Sequence, residues 1–187
     1  MEAFFASFGL IVIAEMGDKS QLVALAFATR YRVWQVLAGI TAATLLVHAG
    51  SVAIGRVAGE NLPETTIAVG AGLAFIGFGL WTMRGDTITG DETKGRGRLG
   101  PLLVIAIAFF IAELGDKTML ATVTIATQYP GFIGTWLGST AGMVVADAIA
   151  IVAGIAIGSR LPERPIKLIA ASIFLLFGAW LLIDPWI

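Results

Sequence analysis

Apolar residues run along this chain in six long stretches, roughly 3–29, 33–58, 65–84, 99–127, 132–159 and 165–184, set apart by short polar breaks. A helix needs about 20 mostly apolar residues to cross a bilayer, and all six stretches reach that length. Short alternating strands are not seen, so a barrel gives way to helices, which pair their backbone groups within the segment. The pattern predicts an all-α integral membrane protein with six transmembrane helices facing the lipid bilayer. The first stretch is too long for a signal peptide, has no basic n-region and carries charges, so it reads as a retained helix.

Two of these apolar stretches hold charges in their middle. Glu15-Met16-Gly17-Asp18-Lys19-Ser20 interrupts the first, and Glu113-Leu114-Gly115-Asp116-Lys117-Thr118 interrupts the fourth at an offset of 98 residues. Ionisable groups at membrane depth are costly and are kept for function or tight pairing. The repetition extends further. Ala28-Thr29-Arg30-Tyr31 matches Ala126-Thr127-Gln128-Tyr129, Leu62-Pro63-Glu64 matches Leu161-Pro162-Glu163, and Phe78-Gly79-Leu80-Trp81 matches Phe177-Gly178-Ala179-Trp180. Residues 1–84 and 99–187 therefore read as two three-helix repeats joined by a polar linker at 85–98. An odd number of spans per repeat turns the second copy upside down, the inverted plan of many secondary transporters.

Orientation follows from the loops. Apart from the motif lysines, Arg30, Arg32, Arg84, Lys94, Arg96, Arg98, Arg160, Arg164 and Lys167 fall on one side and only Arg56 on the other. That side is expected to be cytoplasmic, which leaves both termini outside. Trp34, Trp81, Trp136, Trp180 and Trp186 lie near helix ends, as an aromatic belt does.

Composition narrows the chemistry. The chain is 57% hydrophobic and 13% charged, against about a quarter charged in soluble domains. With 12 basic and 13 acidic residues it has no basic stripe for nucleic acid. The absence of cysteine excludes disulfides, thiolate metal sites and cysteine nucleophiles.

On an unbroken helix, residues three apart lie within about 60° of each other. Glu15 and Asp18 would share one face, and so would Glu113 and Asp116. Side-by-side packing of inverted halves would bring the four carboxylates together near the midplane. Gly17 and Gly115 allow either close helix approach or local unwinding, while Ser20 and Thr118 add hydroxyl oxygens. Four carboxylates and two lysines leave two negative charges, which one divalent cation or two protons would neutralise. Protons compete with the cation for such crowded, buried carboxylates, the logic of cation/proton exchange.

An oxygen donor set suits Mn²⁺, Ca²⁺ or Mg²⁺ over zinc or copper. His48, the only histidine, aligns with Asp147 at an offset of 99 residues. Each reads either as a ligand or as a packed helix-pairing group, and His48 also as a proton carrier. Lys19 and Lys117 read as partners of Glu15 and Glu113 four residues away, or as tethered cations that take the carboxylates when metal leaves. Gln21 is a candidate secondary ligand, but Met119 stands at its counterpart, which argues against a symmetric role. Met16 reads as packing.

Paired E-x-G-D-[KR]-[ST] motifs in two three-helix halves resemble the second Ca²⁺:cation antiporter family, which includes Golgi manganese/calcium transporters and bacterial manganese exporters. The resemblance covers essentially the whole chain. It implies export of Mn²⁺ first, or Ca²⁺ second, from the cytosol against protons, with the cation as cargo and no resident cofactor. Carried over residue by residue, the ligands are Glu15, Asp18, Glu113 and Asp116, supported by Lys19, Ser20, Lys117 and Thr118. The lack of an N-terminal extension points to a bacterial inner membrane. Other classes fit less well. A passive cation channel would share the carboxylates, but lysines in both motifs obstruct a pore. A membrane enzyme would need a metal or nucleophile motif that the chain does not carry.

Overall fold

The computed structural model describes residues 1–84, 100–129, 131–157 and 163–183. The expected linker at 85–98, Arg160, Leu161, Pro162 and Trp186 lie outside them, as do the side chains of Lys19, Arg84 and Lys167. The described residues form eight helices and no strand. These are α1 (Glu2–Glu15), α2 (Lys19–Ala28), α3 (Val33–Asn61), α4 (Glu64–Arg84), α5 (Pro101–Glu113), α6 (Lys117–Gln128), α7 (Phe132–Ile157) and α8 (Glu163–Ile183).

The extra helices arise because the first and fourth apolar stretches are each broken at their charged motif. Gly17 has φ 74° and Gly115 φ 79°, and no other described residue has a positive φ. An L side chain in that left-handed region sets its Cβ against the following carbonyl, so glycine is what permits the break. The chain turns tightly there, with the Asp18 amide bonded to the Glu15 carbonyl at 3.1 Å and the Asp116 amide to that of Glu113 at 3.2 Å. Glu15 and Asp18 therefore do not share a face of one continuous helix, as the three-residue spacing predicts. Glu15 ends α1 and Asp18 caps the start of α2; Glu113 and Asp116 hold the same places around α5 and α6.

The helices pair reciprocally. α1 and α2 pack on α7, α5 and α6 pack on α3, α3 meets α7, and α4 pairs with α8. Gly39 of α3 abuts Ile105 of α5 and Gly55 abuts Val123 of α6; residue numbers rise together, so α3 runs parallel to both. Likewise Gly142 abuts Phe8 of α1 and Gly154 abuts Leu25 of α2, so α7 runs parallel to that pair. A Cβ on Gly142 would lie 2.7 Å from the Phe8 carbonyl oxygen, so the close approach needs glycine there. Interpolating along each register sets His48 level with the second break and Asp147 level with the first.

Phe75 of α4 stacks on Phe174 of α8 at 6.0 Å and meets Phe177 edge-on at 5.0 Å, which fills that pair. Trp34, Trp81 and Trp180 are exposed. Trp136 instead is half-buried and donates its Nε1–H to the Leu45 carbonyl at 2.8 Å, tying α7 to α3. The outer surface is apolar, with Leu46, Ile111, Ile133, Val152 and Leu176 all exposed. Among the described residues two helices, at Val33–Asn61 and Phe132–Ala156, are long and apolar enough to cross a membrane by themselves.

Candidate cation site

The two helix breaks bring the motif side chains into the interior. Glu15, Asp18, Glu113, Asp116 and Lys117 are each at most 3% exposed, and Ser20 and Thr118 are buried with them. Within each motif one hydroxyl stands between two carboxylates. Ser20 Oγ donates to Glu15 Oε1 and lies 3.1 Å from Asp18 Oδ2. Thr118 Oγ1 donates to Glu113 Oε2 at 2.6 Å and lies 3.5 Å from Asp116 Oδ2. A hydroxyl has one proton to give, so it can satisfy one acceptor at a time and leaves further lone pairs unfilled. Glu15 Oε2 is buried without a hydrogen-bond partner.

The two motifs meet through a lysine. Lys117 Nζ lies 2.7 Å from Asp18 Oδ1, with both side chains buried. The sequence spacing pairs Lys117 with Glu113 on its own helix; the break at Gly115 redirects it to the other motif. Its ammonium also feels the charges of Glu15 and Asp116. Among the described residues no three carboxylate or imidazole groups are drawn close enough to hold a metal ion in this conformation. An ammonium at a carboxylate supplies the countercharge there.

His48 and Asp147 are fully buried, and neither the imidazole nitrogens nor the carboxylate oxygens find a hydrogen-bond partner. Asp147 lies within electrostatic reach of Glu15, Asp18 and Glu113. Burying carboxylates within reach of one another's charges is costly unless protons or cations offset them.

A family model described as the divalent cation/proton antiporter GDT1 matches residues 3–89 and 101–186. The chain belongs to this family. A protein of Vibrio cholerae serotype O1, whose name gives it as a candidate manganese exporter, is 32% identical over 181 residues, covering 95% of this chain and 89% of its own. GDT1-like protein 2, chloroplastic, of Oryza sativa is 34% identical, and the chloroplastic PAM71-homolog of Arabidopsis thaliana is 31% identical. This chain spans 59% and 58% of those plant proteins. No solved structure matches. The GDT1 family consists of transporters, so the protein is a membrane transporter and not an enzyme.

In this chain each break also uses a residue that the pattern E-x-G-D-[KR]-[ST] leaves out. Gln21 Oε1 accepts the Gly17 N–H at 3.0 Å, and the Met119 sulfur accepts the Gly115 N–H at 3.2 Å. Gln21 and Met119 thus share a structural role, separate from the ligand role for which their different side chains argue against symmetry. An amide oxygen and a thioether sulfur both accept hydrogen bonds, and both steady the left-handed glycine. The signal was present in the sequence as an acceptor four residues after each glycine. Gln21 also reaches the Ala146 carbonyl on α7 at 3.5 Å. A cavity of about 320 Å³ runs beside α1 from Ala6 to Ile13, with Gln128 and Tyr129 at the end of α6 and Phe174 on its other wall.

Proposed function

We propose that this protein exports Mn²⁺, with Ca²⁺ the second candidate, from the cytosol in exchange for protons, through one site built from Glu15, Asp18, Glu113 and Asp116. The single observation that carries the reading is the Lys117–Asp18 contact at 2.7 Å between the two buried motifs. It links both charged clusters in one place and puts a cation where a metal would go. The oxygen donors suit a hard divalent ion, and the name of the Vibrio cholerae relative favours Mn²⁺.

The setting is six spans arranged as two inverted three-helix repeats, residues 1–84 and 99–187. Reciprocal packing of α1 and α2 on α7, and of α5 and α6 on α3, supports the two-fold relation. With 14 and 10 residues, α1 and α2 measure about 21 and 15 Å, so their break falls near the middle of a roughly 30 Å hydrocarbon core. In that position the metal leaves the cytosol, meets Glu15, Asp18, Glu113 and Asp116, and displaces the Lys117 ammonium from Asp18. Protons arriving from the other side discharge the carboxylates and release the metal outward; the cavity beside α1 and the end of α6 serves as that outer path. The location is a bacterial inner membrane with the basic loops inside and both termini outside.

Proteoliposomes test the reading. Mn²⁺ uptake driven by an acidic interior is expected for the wild type. Glu15→Gln, Asp18→Asn, Glu113→Gln and Asp116→Asn should each abolish or severely reduce it while the protein still folds. Near-normal flux in two or more of these variants would overturn the four-carboxylate site. Flux indifferent to the pH gradient would replace exchange with a channel.

A further inference from the structure

We infer that Asp147 is a fifth carboxylate ligand of the transported cation, contributed by α7 to the site formed by the two helix breaks. The inference deepens the four-carboxylate reading and rests on it. Three observations meet at this residue. The register fixed by Gly142 against Phe8 and Gly154 against Leu25 puts Asp147 level with Glu15, where α1 ends. The side chain is fully buried, and neither oxygen has a hydrogen-bond partner. It is close enough to Glu15, Asp18 and Glu113 to feel their charges.

A buried carboxylate with no partner inside the protein is expensive, and a helix-pairing role would have supplied one. A cation that comes and goes supplies one only when bound. The ligand count points the same way. Hard cations take six or more oxygens, and the four motif carboxylates giving one oxygen each leave part of that shell unfilled. One further carboxylate oxygen brings the protein's share to five and leaves less of the shell to water. The place is also chemically lopsided, because the counterpart of Asp147 in the first half is His48, level with the other break. The site then takes its additional anionic oxygen from α7 alone, on the side of the first motif.

The test counts water on a bound ion. Tb³⁺ takes oxygen ligands as Ca²⁺ does, and its luminescence lifetimes in H₂O and D₂O report how many waters it keeps. In the detergent-solubilised full chain, Asp147→Ala is expected to add about one water to bound Tb³⁺ and to weaken Mn²⁺ competition at least about 10-fold. Met143→Leu, one turn away on α7, should leave both values unchanged. Weaker binding with an unchanged water count would make Asp147 a distant charge and overturn the inference; unchanged binding and water count would make it packing and overturn the inference equally. Should the alanine variant not fold, Asp147→Val also vacates the ligand position and reads the same change. Glu15→Gln, measured alongside, separates the two levels. If it binds Tb³⁺ as tightly as the wild type, the four-carboxylate reading itself fails, whatever Asp147 does.

Discussion

Replacing Gly115 with alanine gives opposite signs for a broken and a continuous helix. In a helix interior, glycine is worse than alanine by about 0.5–1 kcal/mol, so Gly115→Ala would stabilise a continuous span. In the structure Gly115 has φ 79°, where an L residue costs about 1–2 kcal/mol. Crowding does not blur the comparison, because a Cβ at Gly115 meets nothing within 4 Å. The expected result is destabilisation of about 1–2 kcal/mol, which for a chain of this size lowers Tm by roughly 2–8 °C. Gly115→Asn should lose less, since asparagine tolerates the left-handed region. Thermal unfolding of the purified protein in a mild detergent, followed by tryptophan fluorescence, reads the change. A Tm that rises in Gly115→Ala would refute the break, and with it the positions of Asp116 and Lys117.

Three further outcomes follow from the same geometry. Lys117→Met removes the buried ammonium that contacts Asp18 and should cost about 3–5 kcal/mol, with Mn²⁺ restoring more stability to the variant than to the wild type; equal restoration in unfolding titrations would count against Lys117 as a metal stand-in. Thr118→Val removes the hydroxyl that donates to Glu113 at 2.6 Å and should cost about 1–3 kcal/mol in the same assay, whereas Thr124→Val on the exposed side of α6 should cost far less. Because the chain has no cysteine, single cysteines can report topology: residues at the N-terminus should react with impermeant reagents from outside and residues in 85–98 only from the cytoplasm, and the reverse pattern would overturn the orientation.

Much of the architecture was legible in the sequence because it rests on long-range averages. Helix content and the six apolar stretches follow from hydropathy, and the two motif copies announce themselves as charges inside apolar runs. The breaks were not legible from periodicity, since one residue with a positive φ leaves the apolar pattern on either side intact. Gly17 and Gly115 marked where unwinding was permitted, but only the backbone shows that it happens. That single local fact moved the partners: Lys117 left Glu113, four residues away, for Asp18 in the other half. The shared structural role of Gln21 and Met119 was not legible because their side chains differ, and hydrogen-bond acceptance is what the two positions have in common. Asp147 was visible as a charge in an apolar helix, whereas its level beside Glu15 depends on how α7 packs on α1.

The central claim is that metal and protons take the same buried carboxylates in turn, and proton release on metal binding tests it most directly. Calorimetric Mn²⁺ titrations of the solubilised protein, in buffers of different ionisation enthalpy and across pH, give protons released per ion and apparent affinity together. Competition requires affinity to weaken as pH falls and release to climb toward about two protons per Mn²⁺, with the two effects tied by linkage. Asp18→Asn and Asp116→Asn should each lower that number. Tight Mn²⁺ binding that releases no protons at any pH between about 5 and 8, a range around the ordinary titration of histidine and shifted carboxylates, would contradict the shared site.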